Sequence, residues 1–147
     1  MAKRILVPLD RSDLAETIVA LVADLARSAG ATVRLLHVAP VPENVVSKEG
    51  RLIAYADQEM DRLEAEGLEH LKGVAARLGL PAECVVRFGH DADEILREAE
   101  AYGADLVAVT TAGKSGLKRL VMGSVAEQVF RRARVPVLLY HPGSVPD

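Results

Sequence analysis

The chain of 147 residues has one cysteine, no tryptophan, two phenylalanines and three tyrosines. A single cysteine excludes an intrachain disulfide and any cysteine-based metal cluster. Cys84, set in C-V-V, reads as a strand residue rather than a nucleophile. With so few aromatics the core must be aliphatic, built from Val, Leu, Ile and Ala. No apolar run approaches the ~18 residues that would span a membrane. The N-terminal M-A-K-R-I-L-V-P-L-D is basic, but Pro8 and Asp10 cut its apolar run short of the roughly 7–15 residues of a signal-peptide core. A cytoplasmic location is expected. Excess charge is also missing: 18 basic against 21 acidic residues give a net charge of −3. That argues against a nucleic-acid partner, which calls for a basic footprint.

What is present is a soluble-globular composition, 50% apolar and 27% charged, of a length that suits one domain over residues 1–147. Ile5–Leu9 is an unalternating apolar run, as in a strand covered on both faces, and Pro8 tends to close it. Asp13 and Glu16 fit a capping box, and Leu14, Ile18, Val22, Leu25 and Ala29 recur at helical spacing before Gly30. Thr32–Val38 is a second strand, ended by Pro40 and Pro42. Residues 40–50 read as a loop. Ile53, Ala56, Met60, Leu63, Gly67, Leu71, Val74 and Leu78 then mark one face of a long helix. Its acidic outer face reads as solvated, with a recognition surface as the alternative.

Cys84–Phe88 is the third strand. Asp91 and Glu94 again have capping-box spacing, and Ile95, Ala99 and Tyr102 form the inner stripe of a helix stopped by Gly103. Leu106–Val109 is the fourth strand. A last helix, Ser124 to Ala133, is expected to bury Val125, Val129 and Phe130, and Val135–Tyr140 is the last strand. The tail, residues 141–147, is expected to be loosely ordered. Five strand–helix alternations predict a doubly wound α/β fold: a five-stranded parallel sheet, Rossmann-like, with helices on both faces. In the order 3-2-1-4-5, the reversal falls between strands 1 and 4, and ligands sit at such a reversal beyond the carboxyl ends of the strands.

The stretch that meets this crevice is Val107–Ala126, V-A-V-T-T-A-G-K-S-G-L-K-R-L-V-M-G-S-V-A. A glycine- and hydroxyl-rich loop entering a helix N-terminus is a ready anion site. Gly113-Lys114-Ser115 mimics the end of a Walker A loop, but its first glycine would fall on Ala108, inside the strand. No G-x-G-x-x-G, G-x-S-x-G or H-E-x-x-H occurs. His37 ends the second strand and could lie near Asp10, and an isolated strand-end histidine reads as structural. No catalytic residue is assigned, and the chain is not expected to be an enzyme.

The segments I-L-V-P-L-D-R-S, L-L-H-V, D-E-I-L-R-E-A and, above all, G-K-S-G-L-K-R-L-V-M-G-S-V-A-E-Q-V-F-R-R-A-R-V-P-V-L-L-Y resemble the universal stress protein family. The resemblance implies the 3-2-1-4-5 fold, a dimer, and, in one branch, ATP binding marked by G-x2-G-x9-G-[S/T]. On this sequence the motif falls on Gly113, Gly123 and Ser124, while Thr110 stands where its first glycine belongs. Thr110 is stiff and bulky there, yet Thr110 and Thr111 bring hydroxyls that can donate to phosphate. By the resemblance, Pro8, Leu9 and Asp10 line the adenosine side, with Asp10 on the ribose. The Val38 main chain meets the adenine edge. Val109 and Gly113 lie under ribose and phosphates, and Gly123, Ser124 and Val125 present N–H groups and a hydroxyl.

Asp10 as a turn residue or cap, and Ser124 as an N-cap, are the plain alternatives. Lys114 is the expected phosphate contact among the six basic residues from Lys114 to Arg134, which face one acid, Glu127. Mg2+ would arrive with the nucleotide, held by phosphates and water, with no protein metal site. The uncharged run V-P-V-L-L-Y, an edge strand in this order, suggests a homodimer through Val135–Tyr140. The expected function is an ATP-binding regulatory or stress-response module. The alternative is a family member without nucleotide, acting as a dimeric interaction scaffold.

Overall fold

The computed structural model describes residues 3–43, 45–46, 50, 52–54, 56–111 and 123–141. The elements run β1 (Arg4–Pro8), α1 (Asp13–Ala29), β2 (Thr32–Ala39), β3 (Val45–Val46), β4 (Leu52–Ala54), α2 (Ala56–Arg77), β5 (Ala82–Phe88), α3 (Asp91–Tyr102), β6 (Leu106–Thr110), α4 (Ser124–Arg132) and β7 (Val137–Tyr140). Five strands form one sheet in the order β5-β2-β1-β6-β7, and all its pairs are parallel. This is the predicted 3-2-1-4-5 order of a doubly wound α/β fold.

The unalternating strands are explained by two cores. On one face Ile5, Val7, Val33, Leu35 and Ala108 pack against Ile18 and Val22 of α1 and Leu71 and Val74 of α2. On the other, Leu6, Leu36, Val107 and Val109 meet Ile95, Ala99 and Tyr102 of α3 and Val129 of α4. Successive residues Ile5, Leu6 and Val7 therefore face opposite cores, since strand side chains alternate. Each fully buried aliphatic side chain contributes about 1.5–3 kcal/mol. The sheet is consequently the stable frame on which loops at its carboxyl edge can be held.

Several local expectations are corrected. Residues 40–50 are not all loop, and Ile53 is not helical: Val45–Val46 pairs antiparallel with Leu52–Ala54 in a small hairpin, favoured by its β-branched residues. The Asp13–Glu16 capping box does not form as read, because the Glu16 amide donates to the Ser12 carbonyl (3.2 Å), so Ser12 holds the cap position. Likewise His90 is the N-cap of α3, and Glu94 is bound to Arg87 instead (3.0 Å). On α1 the buried stripe is Ile18, Val19, Val22, Ala23 and Ala26, one step round from the expected Leu25 and Ala29. Phe130 of α4 is 53% exposed rather than buried: the inner face of this short helix is filled by Ala126 and Val129. β7 starts at Val137, two residues later than expected. The Pro136 carbonyl still serves the sheet, accepting the Val107 amide (3.0 Å).

Candidate functional site

β1 and β2 pair over five positions, and β6 and β7 over four. β1 and β6 pair only at Ile5↔Leu106 and Leu6↔Val107. Beyond Leu6 and Val107 these two strands part, and the gap opens at the point where the strand order reverses. One wall of the gap is the exit of β1, the other the exit of β6 with the start of α4.

On the β1 wall, Pro8 has no N–H to give, and the ladder continues through Leu9, whose amide donates to the Leu36 carbonyl (2.8 Å). Leu9 is 3% exposed and anchors the turn in the core. Asp10 follows at the surface of the crevice, one carboxylate oxygen accepting the Ser12 amide (3.0 Å). Arg11 takes φ 71°, so the turn is sharp. The turn-residue role considered for Asp10 is thus real; the capping role belongs to Ser12.

Val38 lies one strand over, where β2 runs on past the end of β1. The Leu36 carbonyl faces β1, and the Ala39 carbonyl faces β5, where it accepts the Gly89 amide (2.9 Å). Backbone polar groups of a parallel strand alternate between its two neighbours. Val38 therefore directs its amide and carbonyl toward the β1 side, beyond the last rung.

The β6 wall is held at one residue. The Thr111 amide donates to the Tyr140 carbonyl (2.9 Å), and the Thr111 carbonyl accepts the Gly123 amide (2.7 Å). The Thr111 hydroxyl lies 3.1 Å from His141 Nδ1. Thr111 thus ties the ends of β6 and β7 to the entry of α4. Val109 is buried beneath, and Thr110 is half-buried in register with Tyr140. His141, part of the tail expected to be loosely ordered, is held at this knot. Gly113 and Lys114, the other expected phosphate contacts, lie outside the described residues, as does the tail from 142.

At α4 the N-cap is Gly123 (φ −65°, ψ 158°) and Ser124 is the first helical residue. The N-cap reading of Ser124 is therefore replaced: its exposed hydroxyl stands on the first turn. A Cβ on Gly123 would come 3.0 Å from the Thr111 carbonyl oxygen, so a side chain here would press on that carbonyl. The Gly123 amide is already committed to Thr111 and is not a phosphate donor as expected. The first intrahelical bond runs from the Glu127 amide to the Gly123 carbonyl (2.9 Å). The amides of Ser124, Val125 and Ala126 therefore precede the helical ladder and point out of its end. They carry the positive end of the helix dipole.

A second, open cleft of about 770 Å3 lies at the opposite, amino end of the sheet, among Arg4, Thr32, Arg34, Glu83, Tyr102 and Asp105. Its charges are spent within the fold. Arg34 binds Glu98 (2.7 Å) and Glu83 (3.1 Å) and stacks 4.0 Å from the Tyr102 ring centroid. Arg4 donates to the Tyr102 carbonyl (2.7 Å), and its amide donates to Asp105 (2.9 Å). From the same seam Arg87 reaches Glu98 (2.8 Å) and Glu94 (3.0 Å), and Arg97 also pairs with Glu94. The hydrogen bond from Arg87 holds the Glu94 carboxyl below its usual range, against the opposing effect of burial and with help from Arg97. This seam joins α3 to β2 and β5. Sequence reading missed it, although the charged Arg34 and Arg87 interrupt apolar strands and Glu94 and Glu98 share the inner face of α3.

Burial pushes the Cys84 thiol up, with Lys72 opposing; packed against the core, it is not disposed as a nucleophile. Among the described residues no group of three or more His, Cys, Asp or Glu could hold a metal ion. No helix of the described residues is long and apolar enough to cross a membrane.

This geometry has close relatives. MJ0577, a universal stress protein of Methanocaldococcus jannaschii, superposes with a TM-score of 0.78 at 28% identity, covering 96% of each chain. A universal stress protein solved in complex with cAMP shares the fold, with a TM-score of 0.68 at 20% identity over 97% of this chain and 98% of that one. In sequence, universal stress protein YxiE of Bacillus subtilis is 31% identical over 146 residues, covering 95% of this chain and 99% of the relative. MJ0531 of M. jannaschii is 35% identical over 143 residues, covering 93% and 81%. The model of the universal stress protein family matches residues 1–141. From its strand order to the glycine-gated entry of its last helix, this chain belongs to the universal stress protein family.

Proposed function

We propose that this chain is an ATP-binding regulatory module of the stress-response type, working in the cytoplasm, whose nucleotide state is read by a partner. The observation that supports this reading is the parting of β1 and β6 beyond Leu6 and Val107, which leaves room between the Leu9–Asp10 turn and the entry of α4, whose first amides precede its helical ladder. Adenosine would lie on the β1 side, with Asp10 accepting from the ribose and the Val38 backbone meeting the adenine edge. Pro8 and Leu9 form the floor there, with Val109 beneath the ribose. The phosphates would point toward the amides of Ser124 and Val125 and the Ser124 hydroxyl, with Thr110 and Thr111 alongside and Gly113 and Lys114 as further contacts. Mg2+ would enter with the phosphates. A protein of the same fold has been crystallised with cAMP, which shares the adenosine half of ATP.

Hydrolysis is not part of the proposal, since no side chain at the gap is assigned as a general base. Thermal unfolding with and without Mg-ATP tests the reading. Ligand at 100 times its Kd adds about 2.7 kcal/mol, about 5–10 °C for a chain of this length. An unchanged midpoint at millimolar ATP sinks it.

The alternative is a dimeric scaffold without nucleotide, favoured by Thr110 in place of the motif's first glycine. In either reading β7 is the proposed dimer edge. The opposite edge strand, β5, carries Glu83 and Arg87, whereas β7 is Val137-Leu138-Leu139-Tyr140 with no charge, and an unprotected edge invites pairing.

A further inference from the structure

The β1–β2 ladder ends one rung early. After Pro8↔Leu36, the Leu9 amide donates to the Leu36 carbonyl (2.8 Å). The regular parallel pattern would next have the Val38 amide donate to the Leu9 carbonyl. The pairing stops before that rung, and the Leu9 carbonyl instead has His37 Nδ1 at 3.4 Å. A carbonyl only accepts, so this contact requires the proton on Nδ1.

The ring is wedged from above. A Cβ on Gly67 of α2 would stand 3.0 Å from His37 Cδ2 and 2.8 Å from Val86 Cγ2, so α2 packs closely over the imidazole at a glycine. His37 is thus fixed by α2 and β5 while it holds the last carbonyl of β1.

We infer that His37 is a positioning residue for the nucleotide gap, and this rests on the ATP reading above. By taking the Leu9 carbonyl it leaves the Val38 amide directed at the gap, for the adenine edge. It also fixes the residue before Asp10, and with it the carboxylate offered to the ribose. One imidazole therefore sets both adenosine contacts without touching the ligand.

The test compares the wild type with His37→Leu and His37→Asn. Leucine keeps apolar bulk under α2 and removes the donor; the asparagine amide restores a donor near the Nδ1 position. Calorimetry with Mg-ATP and with 2′,3′-dideoxy-ATP gives the affinities, and NMR hydrogen exchange reads the Val38 amide without ligand. His37→Leu should weaken ATP about tenfold, with a smaller loss for the dideoxy analogue, and His37→Asn should restore most of the affinity. In the unliganded protein the Val38 amide should exchange readily in the wild type and at least about tenfold more slowly in His37→Leu, because the missing rung forms.

A Val38 amide unaffected by His37→Leu overturns the inference whatever the affinities. Slowed exchange with unchanged ATP affinity overturns the positioning role and leaves the ATP reading standing. A wild type that does not bind ATP overturns that reading and the positioning role together, while the exchange still decides whether His37 takes the carbonyl.

Discussion

Thr111 and Gly123, twelve residues apart in sequence, are joined by a 2.7 Å hydrogen bond from the Gly123 amide to the Thr111 carbonyl. The bond ties the end of β6 to the start of α4. It fixes where α4 begins relative to the carboxyl end of β6, and thus where the helix dipole points. A Cβ on Gly123 would meet the same carbonyl at 3.0 Å. The glycine of the family motif is therefore explained here by its close approach to Thr111.

Gly123→Val should break this bond. Its branched side chain must displace the Thr111 carbonyl, and overpacking of this kind costs about 1–3 kcal/mol. The two cores do not depend on it, so the far-ultraviolet dichroism should stay native. The ATP-induced rise in unfolding midpoint should disappear; a retained rise would place the phosphate site elsewhere.

Thr110→Gly should act in two directions. Thr110 is the last residue of β6, in register with Tyr140, and glycine in a strand costs roughly 0.5–1 kcal/mol. The unliganded midpoint should fall by a few degrees. If the threonine bulk obstructs the nucleotide, calorimetry should at the same time report tighter ATP binding; equal or weaker binding would show that its hydroxyl helps more than its bulk hinders.

Leu138→Lys addresses the proposed dimer. A charge on an edge strand opposes pairing with a second copy. The expected product is a folded monomer by light scattering, where the parent is expected to be a dimer. Unchanged mass in a folded variant would remove β7 from the interface.

Glu98→Ala tests the seam between α3 and the sheet. The Glu98 side chain is 5% exposed and binds both Arg34 and Arg87. Losing one partner of a buried pair costs about 3–5 kcal/mol; the partial exposure of both arginines reduces this to about 2–3 kcal/mol. Urea unfolding should show a lower midpoint with an unchanged slope; an unchanged midpoint would show that Glu98 does not stabilise the seam.

Acid should weaken the same seam. The hydrogen bond from Arg87 holds the Glu94 carboxyl below the usual glutamate range, so folding favours the ionised form. That contribution is fully present above the unfolded value and is lost as the pH falls through the lower, folded one. Urea midpoints should therefore drop below about pH 4.5, and Glu94→Gln should flatten part of that drop. An identical acid profile in the variant would assign the loss to other carboxylates.

The sequence by itself determined the sheet, its order and the general place of the gap. Short unalternating apolar runs alternating with amphipathic stretches leave few other packings, and the glycine–hydroxyl entry to α4 is a local signal. It misplaced what depends on neighbours. Phe130 has the spacing of a buried residue, but Ala126 and Val129 already fill the inner face of α4. Val45–Val46 and Leu52–Ala54 are too short to announce a hairpin. Glu94 looked like a capping residue because its true partners, Arg87 and Arg97, are chosen by the packing of α3 on the sheet. The bond between Thr111 and Gly123, the commitment of the Gly123 amide and the capture of the Leu9 carbonyl by His37 were decided by tertiary structure alone. Each joins groups on different elements, and a hydrogen bond between distant residues exists only once packing has brought donor and acceptor within 3 or so ångströms.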